Sequence, residues 1–210
     1  MSENHGAAFW DERYRGRAAL WSGEPNPYLL QETAGLAAGR ALDAGSGEGA
    51  DAIWLAGRGW HVIAVDISAV AVGRAEEHAR QCGADLAGRI EWIRQDLTEW
   101  EPGPTLFDLV TAQYLHLPPS ARQPLFGRLA AAVAPGGSLL VVGHHPSDLE
   151  TAVPRPQEPD RYFTGDDLLP LLRGGQWDVL TNTTPERSAT DPDGRTVTVR
   201  DTVFRARRRD

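Results

Sequence analysis

Short apolar segments alternate with longer helical patterns through the first two thirds of the chain, and this alternation restricts the possible folds more than any other feature. Five of these segments are predicted to be strands, namely 41–45, 61–66, 89–96, 107–115 and 138–145. Helices are predicted between them at 50–58, from the capping residue Ser68 to about Gln81, and at 118–133. Strands that alternate with helices form a parallel sheet with helices on both faces, so the sequence predicts an α/β fold.

The last third of the chain has a different pattern. Residues 146–160 are rich in proline and acid, and we expect the segment 146–165 to form a surface loop near the ligand-binding face. A capping box at Thr164 to Asp167 predicts a short helix. The strands WDVLTNTTPE and TVTVRDTVFRAR follow, and the turn at Asp193-Gly194 between them predicts an antiparallel hairpin. Nothing marks a domain boundary, so residues 1–210 are interpreted as one domain.

Charge and localisation signals limit the partners of the chain. The formal net charge is −8, and an acidic surface repels nucleic acid and anionic lipid, so we expect neither partner. The first thirty residues lack an apolar core followed by a small-residue cleavage site, which predicts no signal peptide and a cytoplasmic protein. We expect a monomer or a homodimer that acts on a small molecule.

A glycine-rich loop, LDAGSGEGAD, follows the first predicted strand and combines three glycines with the acids Asp43 and Glu48. Dinucleotide-binding proteins place a pyrophosphate on such a loop, with the spacing GxGxxG. The third glycine arrives one residue early here, and the acids would repel phosphate. Asp66 ends the second strand, where a carboxylate can accept both hydroxyls of a ribose. The loop therefore suits a cationic nucleoside such as S-adenosylmethionine (SAM), which has a sulfonium, an ammonium and no phosphate.

Several motifs together resemble those of the class I SAM-dependent methyltransferases. They are DAGSGEG, the acid in VDIS, the later QDL and the PGG before the fifth strand. The segment FWDERY…W.G.PN, at 9–26, resembles the small bacterial methyltransferases related to the tellurite-resistance and thiopurine group. This resemblance implies a Rossmann-like sheet of seven strands in the order 3-2-1-4-5-7-6, with strand seven antiparallel. It also implies methyl transfer from SAM to a small acceptor.

The resemblance assigns cofactor roles to particular positions. Asp43 and the glycine loop would line the methionine part, Asp66 the ribose, and Asp96 with Leu97 the adenine, while Asp96 has the alternative role of capping the turn before Thr98. Gln113 would lie beside the sulfonium. The full set of implied cofactor positions in this region is Asp43, Ala44, Gly45, Gly47, Gly49, Asp66, Ile67, Asp96, Leu97 and Gln113.

Aromatic residues near the N-terminus form a second candidate group. Trp10, Tyr14 and Trp21 lie before the first strand, and we interpret residues 1–35 as a helical lid whose aromatic rings contact the cofactor. The alternative is a helix that only packs on the domain.

Three histidines are candidate proton acceptors because they follow strands whose carboxyl ends face the ligand. His116 follows strand four, and His144 and His145 end strand five. We favour His116 as the base, with Tyr114 beside it, although each histidine is equally consistent with a loop residue that has no catalytic role. No zinc-type spacing is present, so no metal is expected.

The predicted function is methyl transfer from SAM to a sulfur, selenium, tellurium, oxygen or nitrogen atom of a small molecule. Three alternatives stay open at this point. They are a SAM-dependent cyclase or lyase that transfers no methyl, a nicotinamide-dependent oxidoreductase, and a SAM-binding sensor without catalysis.

Overall fold

A single mixed sheet runs through the centre of the protein. The structure is a computed structural model that describes residues 6–18, 22–155, 158–172 and 177–210. The strands are β1 (Arg40–Ala44), β2 (His61–Asp66), β3 (Ile90–Arg94), β4 (Phe107–Gln113), β5 (Val133–His144), β6 (Trp177–Thr183), β7 (Glu186–Thr190) and β8 (Thr196–Arg208). The α-helices are α1 (Ala7–Arg15), α2 (Pro27–Thr33), α3 (Ala50–Gly57), α4 (Ala69–Gln81), α5 (Ala84–Ala87) and α6 (Pro119–Ala131).

The strand order is β3-β2-β1-β4-β5-β8-β6. Strands β1 to β5 pair in parallel, whereas β8 is antiparallel to both β5 and β6. The structure's β8 is the predicted seventh strand, so the predicted α/β fold, its Rossmann-like order and its antiparallel strand are confirmed.

The predicted sixth strand, at 177–186, ends early at Thr183, and a further strand that was not predicted, β7, begins at Glu186. The break lies at Thr184 and Pro185, and β7 pairs with the first part of β8 whereas β6 pairs with the last part. Proline has no N–H to donate to a ladder, which accounts for a break at this point. The turn at Asp193-Gly194 joins β7 to β8, so the predicted hairpin is confirmed.

Two apolar layers cover the two faces of the sheet. Successive residues of a strand point to opposite faces, and β1 contributes Leu42 to one buried cluster and Ala41 to the other. Helix α6 packs in the first cluster through Leu125 and Leu129, and α3 packs in the second through Leu55. In the described part of the chain, every helix is too short or too polar to pass through a lipid bilayer.

The segment after β5 differs from its prediction as a surface loop. It contains 3-10 turns at Pro146–Glu150 and Pro159–Arg161, and the side chains of Asp148 and Arg161 are buried. The predicted capping box is present, since the N–H of Thr164 donates to Asp167 Oδ2 at 2.8 Å. The element that it begins, Gly165–Asp167, is a 3-10 turn rather than an α-helix.

Candidate active site

The glycine loop between β1 and α3 adopts a backbone that only glycine accepts readily. Gly45, Gly47 and Gly49 have φ angles of 83°, 54° and 87°. Gly49 is also tightly packed, because a Cβ built there would lie 2.5 Å from the Trp92 ring.

The N–H groups of this loop bond to the protein itself. Those of Gly45 and Ser46 donate to Val65 O at 2.8 and 3.1 Å, and that of Gly47 donates to Asp66 Oδ2 at 2.8 Å. A phosphate-binding loop would instead point such groups at the ligand. The arrangement therefore disfavours a pyrophosphate and agrees with the argument from the sequence.

Three carboxylates converge at the loop. Asp43 and Asp66 are buried, and Asp51 lies in the first turn of α3. Burial, together with the charges of Asp51 and Asp66, raises the pKa of Asp43 well above its ordinary value. Burial also raises the pKa of Asp66, and it raises that of Asp51 to about 6. Because Asp43 Oδ2 has no hydrogen-bond partner in the described structure, the cluster has an unmet demand for a cation or a donor.

Glu48, the other acid of the loop, has a different role from Asp43. It accepts a hydrogen bond from Arg74 of α4 at 2.8 Å, so its charge is compensated within the protein. Glu48 therefore contributes little to the repulsion of phosphate, and Asp43, Asp51 and Asp66 supply the negative charge of the loop instead.

The remaining implied cofactor positions surround the loop. Ala44 ends β1 and Ile67 follows β2, and both lie beside the acidic cluster. Asp96 accepts hydrogen bonds at 2.8 Å from the N–H and hydroxyl of Thr98, so the alternative capping role is observed. Leu97 is buried in the core, where its carbonyl accepts from Arg128. The cofactor roles of these residues stay predictions.

The N-terminal helix is attached to the cofactor side of the sheet. The buried Asp11 of α1 accepts a hydrogen bond from the Ser68 hydroxyl at 2.6 Å, directly beyond Asp66. Tyr14 is buried and Trp10 is half-buried on the same helix. Trp21 lies outside the described residues. The helix thus packs on the domain, and its function as a lid stays a prediction.

Asn26, just before α2, connects the two halves of the site. Its backbone N–H donates to Asp51 at 2.6 Å, and its side-chain amide donates to Gln113 Oε1 at 3.2 Å. Gln113 ends β4, so Asn26 bridges the acidic cluster and the strand that leads to the histidines. Neither Asn26 nor Asp51 was identified from the sequence, although Asn26 stands in the N-cap position before Pro27, a usable signal.

Aromatic and imidazole rings form a wall beyond Gln113. Tyr114 and His144 have ring centroids 4.7 Å apart, and His116 stacks on His144 at 4.6 Å. Tyr162 and Phe163, from the segment after β5, lie 6.1 and 6.3 Å from His116. Tyr114 has a φ of 51°, an unusual backbone for a bulky residue and one that is typical of functional sites.

Asp201 of β8 lies behind this wall and was missed from the sequence. It is fully buried and accepts hydrogen bonds from Tyr114 Oη at 3.1 Å, from Arg187, and from His144 Nδ1 at 3.3 Å. Burial alone would raise its pKa, but the hydrogen bonds from His144 and Arg187 lower it to about 2. Asp201 is the one acid in the predicted strand TVTVRDTVFRAR, and an acid in a strand with many apolar residues was the available signal.

The three histidines have different surroundings. His116 Nε2 accepts a hydrogen bond from the backbone N–H of His144 at 2.9 Å, and burial lowers the His116 pKa well below its ordinary value. His145 Nδ1 accepts from the N–H of Ser147 at 3.2 Å and caps the turn that follows. His116 must break its hydrogen bond before Nε2 can take a proton, so its role as a base stays a prediction.

One cluster in the described part of the chain has spacing compatible with a metal. His144, Asp148 and Asp201 place ligand atoms within 4.8 Å of one another. Arg187 pairs with Asp201 and Arg155 pairs with Asp148, so protein cations already compensate both carboxylates. The donor set therefore fits an internal ion-pair network better than a divalent ion.

Comparison with known proteins agrees with this geometry. The family described as "Methyltransferase domain" matches residues 41–137, which include the glycine loop, Asp66 and the strand leading to Tyr114. Residues 41–137 therefore match a class I SAM-dependent methyltransferase domain. An N-methyltransferase, NodS from Bradyrhizobium japonicum WM9 in complex with S-adenosyl-L-homocysteine, has the same fold, with a TM-score of 0.69 and 17% identity over 95% of this chain and 96% of that one.

Two curated methyltransferases are relatives in sequence. Probable thiol methyltransferase 2 of Arabidopsis thaliana is 31% identical over 68% of this chain and 63% of the relative. The 2-heptyl-1-hydroxyquinolin-4(1H)-one methyltransferase of Mycobacteroides abscessus strain ATCC 19977 is 28% identical over 81% of this chain and 82% of the relative. The chain spans less than two thirds of the thiol methyltransferase's length. The matched domain supports the predicted family and the SAM cofactor, whereas the activity of the whole chain stays a proposal and the acceptor is not identified.

Proposed function

We propose that this methyltransferase transfers the methyl group of SAM to the sulfur atom of a small thiol. The observation that carries the cofactor half of the proposal is the buried cluster of Asp43, Asp51 and Asp66, in which one Asp43 oxygen has no partner. A cation satisfies this cluster, whereas a pyrophosphate would add further negative charge. We assign the methionine and ribose parts of SAM to these three acids.

SAM supplies an electrophilic methyl group when it is bound, so the chain mainly has to bind the acceptor, align it and exclude water. Tyr114, His116, His144, Tyr162 and Phe163 form an acceptor wall of neighbouring rings. Polarisable sulfur makes favourable contacts with aromatic rings, which supports a thiol as the acceptor. The relationship to a thiol methyltransferase supports the same choice.

The acceptor is expected to be small. The segment Pro146–Glu150 and the residues Tyr162 and Phe163 contact the histidines and restrict the space on this side. The net charge of −8 supports a neutral or cationic small molecule rather than nucleic acid. A cytoplasmic location and a monomeric or homodimeric state stay predictions.

The test is an incubation of the full chain with SAM that carries a deuterated methyl group, and with 2-mercaptoethanol, phenol or a primary amine as separate acceptors. Mass spectrometry would follow the label. We expect a labelled methyl thioether and S-adenosylhomocysteine with the thiol, at a higher rate than with phenol or amine. A labelled ether or amine formed in preference would overturn the sulfur assignment. Release of labelled methylthioadenosine would instead indicate a cyclase or lyase.

A further inference from the structure

We propose that His144 and Asp201 form a catalytic dyad that removes the proton from the acceptor thiol. His144 is the base, and Asp201 is a positioning residue that acts through it. This inference rests on the proposed function and deepens it, and it favours His144 over the His116 predicted from the sequence.

The positions of the two residues are fixed by the sheet. His144 ends β5 and Asp201 lies in β8, and the two are direct partners in the antiparallel register. His144 Nδ1 lies 3.3 Å from Asp201 Oδ1. Asp201 is fully buried and also accepts hydrogen bonds from Tyr114 and Arg187, which keep its carboxylate in place.

This contact determines which nitrogen of His144 carries the proton. An ionised carboxylate only accepts hydrogen bonds, so Nδ1 must be the donor. The neutral ring then has its lone pair on Nε2. In the described structure no group hydrogen-bonds to His144 Nε2, and this atom is not among the buried atoms without a partner. It is therefore accessible for an acceptor proton, unlike His116 Nε2, which already accepts from the His144 backbone.

The groups around His144 keep its ring neutral before the reaction. Burial and the charge of Arg155 lower the pKa of His144, whereas Asp201 and Asp148 raise it, and the net direction is downward. The other groups that face the ring are Tyr114, His116 and Tyr162, together with Arg187 behind Asp201. A neutral imidazole at neutral pH is the form that a general base requires.

The proposed step conserves atoms and charge. The thiol S–H bond breaks, the proton moves to His144 Nε2, and the electron pair stays on the acceptor sulfur. That sulfur forms the bond to the methyl carbon while the bond from the carbon to the sulfonium breaks, which leaves a neutral thioether on each product. The imidazolium, stabilised by Asp201, then gives its proton to water.

Two thiol acceptors of different acidity test whether His144 acts as a base or only has a structural role. A base is needed for a protonated thiol but not for a thiolate. His144→Asn keeps a donor near Asp201 but has no basic nitrogen. 2-Mercaptoethanol is largely protonated at neutral pH, whereas 4-nitrothiophenol is already a thiolate. We expect His144→Asn to lower kcat/KM about 10²- to 10⁴-fold for 2-mercaptoethanol and to leave it close to wild type for 4-nitrothiophenol. His61→Gln, at the exposed start of β2, is the matched control and should resemble wild type with both thiols.

Asp201→Asn tests the positioning role. Loss of the carboxylate destabilises the imidazolium, so the acidic limb of the pH profile with 2-mercaptoethanol should move to lower pH and its plateau should fall. Ring ¹⁵N chemical shifts of His144, measured by NMR in the wild-type protein, provide a readout that needs no turnover. They should show a protonated Nδ1 and a bare Nε2.

Each outcome decides a separate point. An equal loss for both thiols in His144→Asn, or a proton on Nε2 of His144 in the wild type, would overturn the dyad. A wild-type protein that methylates neither thiol would contradict the sulfur acceptor, and the NMR result would still decide the tautomer on which the dyad depends.

Discussion

At the scale of single residues, the site contains carboxylates whose oxygens receive only some of the hydrogen bonds that they can accept. Asp66 accepts from the backbone of Gly47 and Ser68, whereas one oxygen of Asp43 accepts from nothing in the described structure. Protein interiors seldom leave a buried carboxylate oxygen in this state without a ligand. The left-handed backbone conformation of Tyr114 also costs free energy of folding. It lies where β4 leads into the acceptor wall.

The raised acid pKa values predict how SAM binding depends on pH. Asp51 has a pKa of about 6, so it loses its proton as the pH increases from about 5 to 7.5, and burial raises the pKa of the neighbouring Asp43 as well. A raised carboxyl pKa in the folded state means that stability is lost as the pH rises through that pKa. A bound cation offsets this loss, so the SAM-induced increase in Tm should be larger at pH 7.5 than at pH 5.

Thermal melting with and without SAM at the two pH values measures this effect. About 1 kcal/mol corresponds to about 2–4 °C in a protein of this size, so the difference is measurable. In Asp51→Asn the dependence on pH should become smaller. A SAM-induced shift that is equal at both pH values in the wild type would contradict the role of the acids.

The sequence proposes residues of the cofactor side from their positions after strands and from the resemblance to a methyltransferase family, and their cofactor roles stay predictions. Asp43 and Asp66 are examples, since Asp43 directly precedes the last residue of β1 and Asp66 ends β2. Asp201 and Asn26 were not identified, because their partners Tyr114 and Gln113 are distant in sequence. Only the folded sheet and the path of α2 bring these groups together.

At the scale of elements, the glycine loop is held between α4 and β3. Gly49 precedes α3, and a Cβ there would lie 2.8 Å from the Ala75 Cβ and 2.5 Å from the Trp92 ring. The loop therefore depends on close backbone packing as well as on its left-handed conformations.

A pair of substitutions separates these two effects. Gly103→Ala places a Cβ on a backbone with a φ of 72° and meets no atom within 4 Å. It should therefore lower the free energy of unfolding only by the cost of a left-handed alanine, about 1–2 kcal/mol. Gly49→Ala adds overpacking and should cost about 1–3 kcal/mol more. Urea denaturation of both variants measures the difference in the free energy of unfolding. Equal losses would contradict the proposed packing of the loop.

Element types were predictable where the periodicity was clear and less so elsewhere. Strand β2 occupies the predicted residues 61–66, and α4 occupies 69–81 as expected from the cap at Ser68. The segment after β5 was interpreted as exposed because it is rich in proline and acid. Its acid Asp148 is instead buried, where it accepts from the backbone of Arg200 and pairs with Arg155. Composition does not reveal such long-range pairing.

At the scale of the whole molecule, the sheet order places two dissimilar surfaces on either side of the end of β4. One is acidic and follows β1 and β2, and the other is aromatic and follows β4 and β5. Asn26 and Gln113 lie between them. The alternation of strands and helices predicted a parallel α/β sheet and the family resemblance implied its strand order, but neither predicted that β8 would place Asp201 beside the histidines.

The central claim is that the acidic loop binds a cationic nucleoside rather than a dinucleotide, and a calorimetric titration tests it most directly. The wild-type chain would be titrated with SAM and separately with NADH, and SAM would then be titrated into Asp66→Ala and into Asp85→Ala, an exposed acid on α5 that serves as the control. We predict that SAM binds the wild type and Asp85→Ala alike and binds Asp66→Ala at least about tenfold more weakly, a loss of about 1.4 kcal/mol, and that NADH gives no binding heat. Binding of NADH without binding of SAM, or an unchanged SAM affinity in Asp66→Ala, would contradict the account.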